Sequence, residues 1–167
     1  DKINGFILPG VGSFDECMIQ MRRRKLDKLV ELFINKGVKG MGICLGMQIL
    51  CNSSEEGENV DGLGIIKGTV RKLDALEEKV PNMGWNKTVV EKNAHIDQEI
   101  ADILNGEYYY VHSYAVEVIN TKNKIASFNH GKVAATAAIY GDRILGVQFH
   151  PEKSQAQGLK LIKNYSN

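Results

Sequence analysis

Cysteine 44 lies in Gly42-Ile43-Cys44-Leu45-Gly46, a G-x-C-x-G placed between a strand-like run and a helix start. That is the cysteine form of a nucleophile elbow, in which glycines permit a turn too tight for larger side chains. Such a turn presents the sulfur at the carboxyl edge of a sheet and at a helix N-terminus, where the helix dipole favours thiolate. The pentapeptide alone equally fits a small buried hydrophobe followed by turn glycines. Cys17 and Cys51 read as structural.

A nucleophile needs a base, and the base needs a group that orients it. Of the four histidines, His95 and His130 fall in polar segments and read as solvated. His112 follows the aromatic run Tyr108-Tyr109-Tyr110 and either lines a site or packs. His150 ends a strand that Pro151 stops at once, with Glu152 two residues on. On extended backbone, positions i and i+2 point the same way, so Glu152 could fix the His150 tautomer and stabilise its imidazolium. Cys44, His150 and Glu152 are thus a candidate triad. Pro9-Gly10-Val11-Gly12 ends another strand, and its glycines let backbone N–H groups turn toward a developing oxyanion. The N–H of Leu45, after the nucleophile, is the second donor such an elbow supplies. An ordinary βα turn remains the alternative, whereas a phosphate loop is excluded by the absence of its motifs.

These residues require a sheet with several strands ending at one edge. Residues 5–8 read as a short buried strand. Ser13 with Glu16 reads as a capping box opening a single amphipathic helix over 14–36, which Gly37 stops. A strand over 38–43 and a helix start over 45–51 complete β-α-β-α, implying parallel pairing. Residues 53–64 read as a polar surface loop. Strand-like runs follow at 65–72, 88–91, 108–111, 115–119, 124–128, 133–140 and 144–149, with helices over 97–104 and 154–165. The expected architecture is one α/β domain over residues 1–167, with antiparallel elaboration in its C-terminal half.

Twenty-one Lys+Arg against twenty Asp+Glu leaves a net charge of +1, without the basic excess of a nucleic-acid binder. The longest strongly apolar run, 133–140, is far short of the roughly 20 residues that span a bilayer. Three cysteines are too few and too irregular for a disulfide framework or a zinc site. No signal-peptide pattern opens the sequence. A reduced, cytoplasmic protein without a metal, membrane or nucleic-acid partner is expected.

Five segments recur together in one family: Leu8–Gly12, Gly42–Gln48, Val80-Pro81-Asn82-Met83-Gly84-Trp85-Asn86, Val111–Tyr114 and Val147–Ser154. They resemble the class I (triad) glutamine amidotransferases and, within them, the glutaminase subunits of imidazole glycerol phosphate synthases. The resemblance spans nearly the whole chain and implies a flavodoxin-like fold with a mostly parallel central sheet flanked by helices. It implies that Cys44 attacks the glutamine side-chain amide, with His150 moving the proton and Glu152 orienting it. Val11 and Leu45, with Gly10 and Gly12, would form the oxyanion hole. Gln48, Glu56 and the backbone around Ser113 and Tyr114 would hold the amino-acid head. Without the resemblance Glu56 reads as a solvated loop charge, and the only tryptophan, Trp85, as core. Met83, Trp85 and Lys153 would face the partner, a (β/α)₈ cyclase subunit that receives the ammonia in a heterodimer. No cofactor is implied.

The resembled subunits normally begin with a further strand and helix, roughly 35 residues, so this sheet is expected to expose an apolar edge. Asn82 stands where many of them carry histidine. Three other readings compete: the same glutaminase feeding a surface-polysaccharide amidotransferase, a stand-alone γ-glutamyl hydrolase or peptidase, and a binding module without catalysis. The docking-type segments at 81–86 and 153–154 count against the hydrolase.

Overall fold

The computed structural model describes residues 3–57, 60–74 and 78–166. The first half runs Gly5–Leu8 (β1), Phe14–Arg23 (α1), Leu26–Asn35 (α2), Lys39–Ile43 (β2), Leu45–Gln48 (α3), Ser53–Ser54 (β3) and Gly68–Lys72 (β4). Next come Asn82–Lys87 (β5), Val89–Val90 (β6), Gln98–Leu104 (α4), Glu107–His112 (β7) and Tyr114–Val118 (β8). Lys124–His130 (β9), Val133–Gly141 (β10), Ile144–Val147 (β11) and Gln155–Ser166 (α5) complete the chain.

The main sheet has six strands in the order β1-β2-β11-β10-β9-β6. β1, β2 and β11 run parallel, whereas β10, β9 and β6 add on antiparallel. The sheet is therefore mixed, with two parallel pairings and three antiparallel, rather than mostly parallel. The cause is local: β10 returns into β11 through Asp142-Arg143, both at positive φ, and such a turn joins antiparallel neighbours. Smaller sheets, β3-β4-β8 and β5-β7, flank the main one.

Alternation along the central strands sorts side chains into two cores. Met41, Ile43, Leu145 and Val147 face one way, packing with Ile103 and Leu104 of α4 and Leu161 of α5. Ile139 and Ile144 face the other way and pack with Phe14, Met18 and Val30 of the first helices and with Met47 of α3. Among the described residues β1 stands at one end of the sheet, where Ile7 is 44% exposed.

Several local expectations are corrected. The helix expected over 14–36 is two helices, broken where Lys25 takes φ +58°. Arg22-Arg23-Arg24-Lys25 offers no apolar side chain to hold a continuous helix on the core. Ser13 precedes α1 but makes no side-chain cap; the Phe14 N–H donates instead to Glu56 Oε2 at 2.9 Å. Residues 53–54 of the expected loop pair with β4. β5 was not expected as a strand, because Pro81 and Gly84, at φ +139°, disguise it.

Candidate active site

β2 ends at Ile43, and Cys44 turns the chain with φ 54° and ψ −110° before α3 begins at Leu45. A non-glycine residue at positive φ is held there only by its surroundings. The Cys44 N–H donates to the Val147 carbonyl at 2.8 Å, and its carbonyl accepts from Met47 and Gln48 at 3.0 and 3.2 Å. The turn fits because its flanking glycines lack side chains. A Cβ on Gly46 would overlap the Leu8 carbonyl oxygen, and one on Gly42 would lie 2.6 Å from the Gly46 carbonyl oxygen. Gly12, at φ +106°, gives the 9–12 turn a conformation closed to most side chains.

His150 lies just beyond β11, 2% exposed, and its backbone is tied on both sides. Its N–H donates to the Tyr109 carbonyl at 2.8 Å, and its carbonyl accepts from Ser154 Oγ at 2.6 Å. His150 Nδ1 is 2.7 Å from Glu152 Oε1. That pair forms through a 3₁₀ turn over Pro151–Lys153 rather than along extended strand. With Nδ1–H donated to the carboxylate, the Nε2 lone pair is free to take a proton. Nε2 is buried and has no hydrogen-bond partner among the described residues.

A cavity of about 290 Å³ opens over these groups, lined by Cys44, Leu45, His150, Gln48, Glu56, Ser113, Tyr114, Lys153, Val11 and Gly12. That sits at the small end of ligand clefts, about 300–1,000 Å³, and suits a single amino acid better than a peptide. Gly10 lies behind it, against Leu45. Met83 and Trp85 line none of it; they stand exposed on β5, with Trp85 edge-on to Tyr109. The core reading of Trp85 is thereby corrected. Larger openings near Arg22 and Lys28 and around 91–95 are lined by no cysteine.

The profile of the family described as "Glutamine amidotransferase class-I" matches residues 3–165. The chain belongs to that family. It is 42% identical over 167 residues to the "Imidazole glycerol phosphate synthase subunit HisH" of Microcystis aeruginosa, covering 99% of this chain and 77% of that one. The protein of the same name from Methanosarcina barkeri is 40% identical over 166 residues, covering 97% and 78%. Among solved structures, "Structure of PurLQS from Thermotoga maritima" superposes with a TM-score of 0.69 at 19% identity, over 98% of this chain and 80% of that one. A "Crystal structure of glutamine amidotransferase" gives 0.66 at 17% identity, over 98% and 79%. At those identities the structures speak for the fold alone.

Burial pushes the thiol of this class-I amidotransferase domain up to about 11. The Leu45 N–H and the Gln148 amide work against burial by favouring thiolate, as does the Lys153 charge, whereas Glu152 disfavours it. At pH 7 the sulfur is therefore held as a neutral thiol, and attack requires a base beside it.

Of the two readings the sequence left open for His112, the structure shows it lining the cavity. His112 is buried, donating from Nδ1 to the Tyr114 carbonyl at 2.8 Å, with Nε2 3.3 Å from the Asn82 amide. Asn86 donates in turn to Asn82 Oδ1. Burial, with His130 and His150 nearby, pushes His112 down to about 4 despite the opposing Tyr114 bond. His130 too is buried rather than solvated. His112 carries a pH signature of known sign: the folded state keeps it neutral while the unfolded chain protonates it near 6.5. Stability present above 6.5 is thus lost as pH falls toward 4. Between pH 7.5 and 5 the protein should lose about 2 kcal/mol relative to His112→Gln, read from urea midpoints. Equal losses in both proteins would refute it.

Proposed function

We propose that this chain is the glutaminase subunit of an imidazole glycerol phosphate synthase, working in the cytoplasm in histidine biosynthesis. The observation that carries this reading is the meeting of Cys44 and the Glu152-held His150 at a cavity of amino-acid size. The relatives quoted above support the choice of enzyme by their names.

His150 Nε2 takes the thiol proton as Cys44 Sγ attacks the glutamine side-chain carbonyl carbon. The tetrahedral oxyanion is met by the N–H groups of Leu45 and Val11, the latter swung in by the Gly10–Gly12 turn. Collapse breaks the C–N bond, and His150 returns its proton to the leaving nitrogen, releasing ammonia and a γ-glutamyl thioester. Water, deprotonated by His150, then cleaves the thioester to glutamate and restores the thiol. The substrate's α-ammonium sits against Glu56, whose Oε2 is fixed by the Phe14 N–H. Gln48 meets the ammonium through Oε1, because its amide nitrogen is committed to Tyr114 and Gln148. The backbone of Ser113 and Tyr114 completes the head-group site.

Ammonia reacts only as the neutral amine and must travel without meeting bulk water. A (β/α)₈ cyclase subunit docked over Met83, Trp85 and Lys153 gives it an enclosed route in a heterodimer. In the free subunit the Gly10–Gly12 turn holds its oxyanion N–H, that of Val11, away from the cavity, and partner binding turns it in.

The test is glutamate release by the chain alone and with a cyclase barrel subunit plus its nucleotide ligand. Strong stimulation is expected, and Trp85→Ala should weaken subunit affinity roughly 10- to 100-fold, as loss of a central aromatic anchor does. Equal turnover with and without the barrel, and no complex on gel filtration, would overturn the subunit assignment.

A further inference from the structure

Gln148 is fully buried in a stretch whose neighbours Val147 and Phe149 are core. A buried carboxamide is costly unless its donors and acceptor are used. Its backbone N–H donates to the Ala137 carbonyl at 2.9 Å. Its side-chain Oε1 accepts from Gln48 Nε2 at 3.1 Å, and its Nε2 lies 3.7 Å from Cys44 Sγ, within reach of an N–H···S bond.

The orientation of this carboxamide is determined from outside. The Tyr114 carbonyl accepts both from His112 Nδ1 and from Gln48 Nε2, at 2.8 and 3.2 Å. Turning the Gln48 amide over would set its oxygen against that carbonyl and against Gln148 Oε1, acceptor on acceptor. Gln48 must therefore present N–H to Gln148, and Gln148 must present its own N–H to the sulfur.

We propose that Gln148 is a catalytic hydrogen-bond donor to the Cys44 thiolate, aimed by Gln48. The proposal rests on the glutaminase reading and deepens it. A neutral donor at sulfur strengthens as charge gathers there, because an ionised acceptor binds N–H more tightly than a thiol or thioester does. It assists when the thiolate forms and again when water expels it from the γ-glutamyl thioester. It adds no positive charge that would compete with His150 for the proton.

The experiment follows Cys44 alkylation by iodoacetamide at pH 8–9, read by mass spectrometry of the Cys44 peptide. Gln148→Met keeps the volume and removes the donor; Gln148→Glu keeps the Gln48 bond and replaces the donor with an acceptor. Both should slow alkylation, roughly three- to tenfold for Met, since a lower thiolate fraction is partly offset by higher nucleophilicity. In the partnered enzyme, kcat should fall about tenfold with KM for glutamine nearly unchanged, as expected when a charge-dependent bond is lost. Unchanged alkylation in both folded variants would overturn the proposal, leaving Gln148 as a packing residue. If neither folds, Gln48→Met reads the same donor through its aim: slower alkylation supports the proposal, and an unchanged rate refutes it. Failure of the glutaminase reading is separable, because it would appear as no glutamate release from glutamine by the unaltered, partnered enzyme, or release that survives the loss of Cys44, whatever the alkylation rates.

Discussion

Cys44→Ser should remove glutamine hydrolysis, by about 10⁴-fold or more, in line with nucleophile deletions in other triads. The hydroxyl is a far weaker acid than a thiol, and burial raises even the thiol to about 11. The shorter C–O bond also withdraws the attacking atom from a cavity whose wall is fixed by the Cys44–Val147 bond. The fold should survive, because serine inherits the same backbone conformation and loses one small buried contact. Glutamate release, with circular dichroism and a thermal melt on the same samples, decides the matter. Activity above a few per cent of the parent would mean that another group attacks. Cys17 and Cys51 line no part of the cavity, so Cys17→Ser serves as the matched control.

Gly46→Ala should be the most damaging single methyl in the chain's first half. Its Cβ would overlap the Leu8 carbonyl oxygen, an atom of the backbone that cannot rotate away. Relief requires β1 to shift from β2 or α3 to tilt, and either moves Cys44. A cost of about 3 kcal/mol or more is expected, a large share of the 5–15 kcal/mol that holds a typical domain together. Urea unfolding measures it, with Gly5→Ala as control. A Cβ there would meet the Lys39 carbonyl oxygen at an ordinary 3.5 Å. If Gly46→Ala matches that control within about 0.5 kcal/mol, the close approach of strand and helix is not what requires glycine.

The elbow, the His-Pro-Glu run and most strands were legible because each depends on neighbours in sequence: glycine spacing, a proline stop, apolar alternation. What escaped depends on distant ones. Glu56 looked solvated because the N–H it accepts lies 42 positions away, at the start of α1. Ser13 looked like a cap for the same reason, its place being taken from afar. His130 looked exposed because its flanking residues are polar, while the burial comes from the fold around it. Gln148 left a faint trace, one polar residue inside the apolar run 144–149. Its partner at position 48 and its target at 44 are remote in sequence and near only once β2 and β11 are paired. The split of the first helix was also written in sequence, as four consecutive cations, but helical periodicity on either side concealed it.

The two cores meet at one peptide. Cys44 belongs to the cluster under α4 and α5, whereas Leu45 belongs to the one under α1 and α2. The peptide linking nucleophile to oxyanion donor is thus clamped from both faces of the sheet, and neither layer can slacken alone without disturbing it. Catalytic competence has no partial setting: sub-global opening of either helical layer carries the same penalty for chemistry as for structure. The adjustment proposed between a silent and a working state would have to come from elements outside the clamp, and the 9–12 turn, with Gly12 at φ +106° and bordering the cavity, is one of them.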